Sequence, residues 1–131
     1  MLGKERGSNL LEMAVVFPIL LLLLAGVADI GRGFHSYIML TGALRDGARF
    51  AANFPSQQTL IEDRILLRAT ESGIGLLRSD VTVTRIYGAG ADQAIRVSAA
   101  HQMSLILGSL LGFNSITIRS FAEMPVADPD R

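Results

Sequence analysis

The spacing of apolar and polar positions changes period along this chain. From Met13 to Ala28 (MAVVFPILLLLLAGVA) no side chain is charged. Counted from Leu10 with Glu12 included, the run is about 19 residues, close to the roughly 20 that a helix needs to cross a hydrocarbon core of about 30 Å. After Asp29, the apolar residues Ile30, Phe34, Tyr37, Leu44, Ala48 and Ala51 recur at helical spacings, which predicts that the helix continues with one apolar side. A single helix is expected from about Asn9 to Asn53, on the order of 65–70 Å at about 1.5 Å per residue. Pro55 ends it, because proline biases the residue before it away from helical geometry. A second helix is expected to open at Thr59 with Glu62 completing a capping box. It would bury Ile61, Ile65, Leu66 and Ala69 and stop at Gly73.

From Val81 the period becomes two. Val81–Tyr87 and Gln93–Ala100 read as a β-hairpin around Gly88-Ala89-Gly90 and Asp92. Ser115–Met124 reads as a third strand, with Ile116 and Ile118 on one face and Thr117, Arg119 and Glu123 on the other. Between them, His101–Gly112 carries Met103, Leu105, Ile106, Leu107, Leu110 and Leu111. This predicts a short helix over a sheet edge, with a partner or membrane contact as the alternative. The segment from Pro125 to Arg131 is expected to fray. The fold class that follows is α+β: a long amino-terminal helix whose first half is membrane-spanning, a second helix, and a small three-stranded antiparallel sheet.

Composition narrows the function. At 131 residues the chain is at most one small domain. It has 12 basic and 12 acidic residues and a formal net charge of zero. No basic surface is available to neutralise phosphates, so nucleic acid is not an expected partner. The absence of cysteine excludes a disulfide framework, a thiolate zinc site and a thiol nucleophile. His35 and His101 are the only histidines, and there is no HExxH, nucleophile elbow or P-loop. Gly31-Arg32-Gly33 lies inside a helical pattern, unlike a strand-to-helix phosphate turn. Arg45-Asp46 and Asp63-Arg64 read as a solvated face. No catalytic residue, metal site, cofactor or small-molecule substrate is therefore expected.

The candidate functional residues lie at the amino-terminal end. Glu12 stands at the mouth of the apolar run, and an acid at the centre of a membrane helix costs about 2.5–3.5 kcal/mol. A cut after Gly7 would leave a new amino terminus on Ser8, whose ammonium could face the Glu12 of a neighbouring subunit. Pro18 removes a backbone donor and pushes against the carbonyl of Ala14, which makes it either a hinge or a tolerated membrane-helix kink. Asp29 and Arg32 are one turn apart and can pair at the membrane boundary. Ala43, Gly47 and Ala51 allow close approach by the chain's own sheet or by another helix. Lys4 and Arg6 precede the run, which puts the amino terminus in the cytoplasm by the positive-inside rule.

A glycine followed by four residues and a glutamate resembles the type IV pilin class, in which a prepilin peptidase cuts after the glycine and the fifth mature residue is glutamate. The stretch from Arg6-Gly7 to Ala52 resembles more narrowly the TadE-like proteins, pilin-like minor components of Tad/Flp tight-adherence systems. Glu12, Pro18, Asp29-Ile30-Gly31-Arg32 and Ala43-Leu44-Arg45-Asp46-Gly47-Ala48-Arg49-Phe50-Ala51-Ala52 carry the likeness. Met13 stands where that family usually has an aromatic residue.

The resemblance implies a leader over residues 1–7, a membrane and filament-core helix over 8–28, its extracytoplasmic continuation over 29–54, and a small α+β domain over 55–131. It also implies a bacterial inner-membrane precursor whose partners are the prepilin peptidase, other pilin-like subunits, the Tad assembly platform and membrane lipid. Two other readings stay open. One is a single-pass anchored extracytoplasmic binding module unrelated to pili, with Gly7 never cut. The other is an exported protein cleaved after Ala28 in a Gly26-Val27-Ala28 signal.

Overall fold

The computed structural model describes residues 2–87 and 93–126. The turn expected at 88–92 and the tail 127–131 lie outside the described residues. In chain order the elements are α1 (Leu2–Asn53), α2 (Gln58–Glu71), a 3-10 turn (Arg78–Asp80), β1 (Val81–Tyr87), β2 (Gln93–Ser104), α3 (Ile106–Leu111) and β3 (Ser115–Pro125). The fold is α+β: a long amino-terminal helix, a second helix and a three-stranded antiparallel sheet in the order β1-β2-β3. The chain forms two compact units. The first takes α1 up to Arg32 together with Ser104–Ser115, and the second takes Gly33–Met103 and the segment from Ile116 onward.

The second unit holds the hydrophobic core. Leu40, Ala43, Leu44, Ala48 and Ala51 of α1 are buried with Ile61, Ile65 and Ala69 of α2 and with Val81, Ile95, Val97, Ala99 and Ala122 of the sheet. Each of the larger aliphatic side chains among them contributes on the order of 1.5–3 kcal/mol by leaving water. Small residues let α1 and α2 approach closely: a Cβ built on Gly47 would overlap the Ile65 side chain. The small-residue face of α1 thus meets the chain's own second helix at this point.

Register follows the alternation. Val81 pairs with Ala99, Val83 with Val97 and Arg85 with Ile95. In β3, Ser120 and Ala122 are buried while Arg119, Phe121 and Glu123 are exposed. Ser120 is shielded but satisfied, its hydroxyl lying 2.8 Å from that of Thr41 on α1. On the outer face, Arg96 donates to Glu123 at 2.9 Å and lies 5.3 Å from the Phe121 ring centroid.

Four local expectations need correction. The second helix begins at Gln58, and its N-cap, Gln57, makes no side-chain cap. Thr59 is already helical, and Glu62 accepts from Gln58 Nε2 at 3.0 Å and from Arg78 at 2.8 Å, so the capping box does not form. β2 runs on to Ser104 because the alternation that buries Val97 and Ala99 extends to Met103, which is 5% exposed. Phe34 and Tyr37 point outward at 66% and 46% exposure, since the shielded side of α1 there runs through Gly33, Ser36 and Leu40. Ser36 faces Met103, with the Ser36 hydroxyl 3.9 Å from the Met103 sulfur. The short helix between β2 and β3 does form, but its described hydrogen-bond partner outside its own loop is α1.

The end of α2 is as expected. Gly73 adopts φ +76°, its N–H donates to the carbonyl of Thr70 at 3.0 Å, and that of Ile74 donates to Ala69 at 2.9 Å. This is a Schellman turn, and buried Ile74 packs with buried Ala69 to close it.

Candidate functional site: the amino-terminal half of the long helix

Gly7, Ser8, Glu12, Pro18, Asp29 and Arg32 all lie on α1, which continues through Pro18 without a break. Ser8 and Glu12 are four residues apart, so they share one face of the helix. Both are exposed. Gly7 sits inside the helix, where glycine costs roughly 0.5–1 kcal/mol relative to alanine.

From Met13 to Ala28 the helix is apolar all round. Its large apolar side chains from Leu10 to Leu24 are between 41% and 72% exposed. A helix with no polar face is stable in a water-free or partner-filled environment, and this one is long and apolar enough to cross a membrane.

The polar centre of the first unit is Asp29. It is buried, at 7% exposure, and its two carboxylate oxygens each accept one backbone N–H, from Ile106 at 2.8 Å and from Leu107 at 2.7 Å. These amides open α3, and the first-turn N–H groups of a helix have no partner within it. An acid from a distant element therefore closes the amino-terminal end of α3. Arg32 Nη1 lies 3.6 Å from Asp29 Oδ1, with its own side chain half exposed. The carboxylate is thus divided between a cation and two amides, and the stronger geometry belongs to the amides.

Sequence reasoning placed Asp29 and Arg32 together but missed α3 as their neighbour. The readable signal was an acid directly after the apolar run, together with a stretch from Val97 to Ile118 that has no Asp, Glu, Lys or Arg. α3 ends at Gly112, with φ +88°, after which Phe113 N–H returns to the Gly108 carbonyl at 2.7 Å. A Cβ on Gly108 would overlap the Phe113 carbonyl oxygen, so the tight turn requires glycine there.

The other polar clusters are structural in geometry. Arg78 bonds Glu62 and Asp63, and Arg64 bonds Asp46 at 3.0 Å. His101 Nδ1 lies 3.1 Å from the Gly75 carbonyl. Among the described residues no group of three or more His, Cys, Asp or Glu side chains could hold a metal.

No curated protein and no solved structure matches the chain. Residues 7–49 match the family model described as TadE-like protein, a segment that contains Gly7, Ser8, Glu12, Pro18, Asp29 and Arg32. Over that segment of its long helix the chain is similar to TadE-like proteins.

Proposed function

We propose that this chain is a minor pilin or pseudopilin, cut by a prepilin peptidase between Gly7 and Ser8 and taking part in assembly of a Tad/Flp-type pilus or secretion apparatus. The similarity of residues 7–49 to TadE-like proteins supports association with a Tad pilus. The observation that carries the finer reading is Glu12, the fifth residue from Ser8, standing exposed on a helix whose next turns, Met13 to Ala28, are apolar on every side. Such a surface suits lipid before assembly and packed neighbouring helices after it. In the assembled state, the Ser8 ammonium of one subunit would pair with Glu12 of another, offsetting the cost of placing a carboxylate in an apolar bundle.

Before assembly the precursor is held in the bacterial inner membrane, with its amino terminus in the cytoplasm and its carboxy-terminal residues outside. Pro18 acts as the hinge when the helix leaves the bilayer. Asp29 and Arg32 mark the outer boundary. The partners are the prepilin peptidase, other pilin-like subunits, the assembly platform and membrane lipid.

Mass spectrometry of the mature amino terminus, in cells with and without the prepilin peptidase, tests this reading. A peptidase-dependent start at Ser8 is expected. An uncut leader would favour a membrane-anchored module unrelated to pili, and a start at Asp29 an exported protein. Gly7→Ala is expected to block processing, whereas Glu12→Ala is expected to be processed and to fail in filament assembly.

A further inference from the structure

We propose that α3 and the following Phe113 form a second membrane contact, an interfacial wedge in the headgroup and acyl boundary beside the outer end of the α1 span. The inference rests on the reading of α1 as membrane-spanning. It concerns a segment outside residues 7–49, the part of the chain that is TadE-like.

Position comes first. α3 is held to α1 by the two amide bonds to Asp29, and a Cβ on Gly26 would come within 3.3 Å of Leu107 Cδ2. Leu107 thus reaches back from Asp29 toward the apolar run, alongside its last turn. That run is only about as long as a bilayer requires, so Gly26 must lie at membrane depth if the helix crosses. Whatever is docked against Gly26 lies at the same level.

The chemistry agrees with that position. Leu107 faces α1 half-buried, while Ile106, Leu110, Leu111 and Phe113 point away from it at 47%, 69%, 61% and 68% exposure. No formally charged side chain occurs between Arg96 and Arg119. Polar backbone groups at a lipid boundary need internal partners. Here the Ile106 and Leu107 amides have Asp29, the Phe113 amide has the Gly108 carbonyl, and Leu105 N–H donates to the Asn114 carbonyl at 3.2 Å. Ser109 returns its hydroxyl to the Ile106 carbonyl at 2.7 Å. The outward surface is therefore apolar and continuous with the lipid-facing surface of α1, which identifies the occupant as the bilayer.

The chain has no tryptophan, so single tryptophans report without background. Leu110→Trp and Phe113→Trp, with Leu21→Trp as the membrane reference and Phe121→Trp as the reference on the sheet, would be prepared in the full chain. Each would be reconstituted into phosphatidylethanolamine–phosphatidylglycerol vesicles carrying acyl chains brominated at shallow or deep positions. Leu110→Trp and Phe113→Trp are expected to show blue-shifted emission that shallow bromines quench most, as for a segment about 5–10 Å into the boundary. Leu21→Trp should respond most to deep bromines and Phe121→Trp to neither.

Three results would overturn the wedge. In the first, both α3 positions ignore bromolipid and are quenched by aqueous iodide while Leu21→Trp responds, which leaves the membrane span intact and removes the second contact. In the second, quenching by bromolipid disappears as protein per vesicle rises, which makes a second copy the occupant. In the third, Leu21→Trp itself is unquenched, and the membrane reading falls together with the wedge.

Discussion

Asp29 is buried, yet each of its oxygens meets an amide and a guanidinium lies near. Removing the carboxylate would leave two amides at the head of α3 without acceptors, at a cost of about 1–3 kcal/mol for an unsatisfied buried group. Asp29→Ala is therefore expected to speed hydrogen exchange at Ile106 and Leu107, and Asp29→Asn, which keeps one acceptor oxygen, to do so less. Unchanged exchange at both amides would show that the bonds do not hold α3. At Gly47 the constraint is volume. Gly47→Val would drive a side chain into Ile65 and is expected to destabilise the second unit by about 1–3 kcal/mol, read by thermal unfolding in detergent. Arg78 behaves differently. Hydrogen bonds first to Glu62 and then to Asp63 raise its pKa above the ordinary arginine value. A raised cation stabilises below its unfolded pKa and loses that contribution only as pH climbs through the folded one. Arg78's own titration therefore adds no pH dependence in the neutral range.

At the scale of elements, α2 separates a motif that is legible in sequence from one that is not. Its stop depends on Gly73 alone reaching φ +76°, and glycine is the residue that does so without strain. Gly73→Ala should lower stability by roughly 1–2 kcal/mol. Its start looked like a capping box, but the spacing of Thr59 and Glu62 cannot reveal that Arg78 competes for the glutamate. Thr59→Ala is accordingly expected to change stability by no more than about 0.5 kcal/mol, and a larger loss in the same thermal melts would restore the capping role. For α1 the period was readable and the facing was not. Leu44, Ala48 and Ala51 are buried as their spacing required, whereas Phe34 and Tyr37 look outward because Met103 of β2 selects Ser36.

For the whole molecule, the large exposed apolar area lies on the first half of α1, and among the described residues no element covers it. Leu20→Arg, at the centre of that surface, is expected to weaken insertion by about 2.5–3.5 kcal/mol, which moves the protein out of the carbonate-resistant membrane fraction. Retention of the variant in that fraction would remove the membrane span. The helix long and apolar enough to cross a membrane was legible, because its lack of charge is a local pattern along one segment. The sheet was legible through its alternation, apart from the end of β2, where Met103 lies deeper than its flanking polar residues suggested.

The sequence by itself determined where the helices and strands lie, which helix could enter a membrane, and which residue stands fifth after the glycine. Those properties depend on neighbours within a turn or two, where side-chain period and backbone preference act directly. Only the tertiary structure decided that Asp29 closes α3 across 77 residues, that Arg78 takes Glu62, and that Gly47 admits Ile65. Each of these joins groups far apart in the chain, and no local pattern states which distant partner will arrive to satisfy a buried charge or fill a gap.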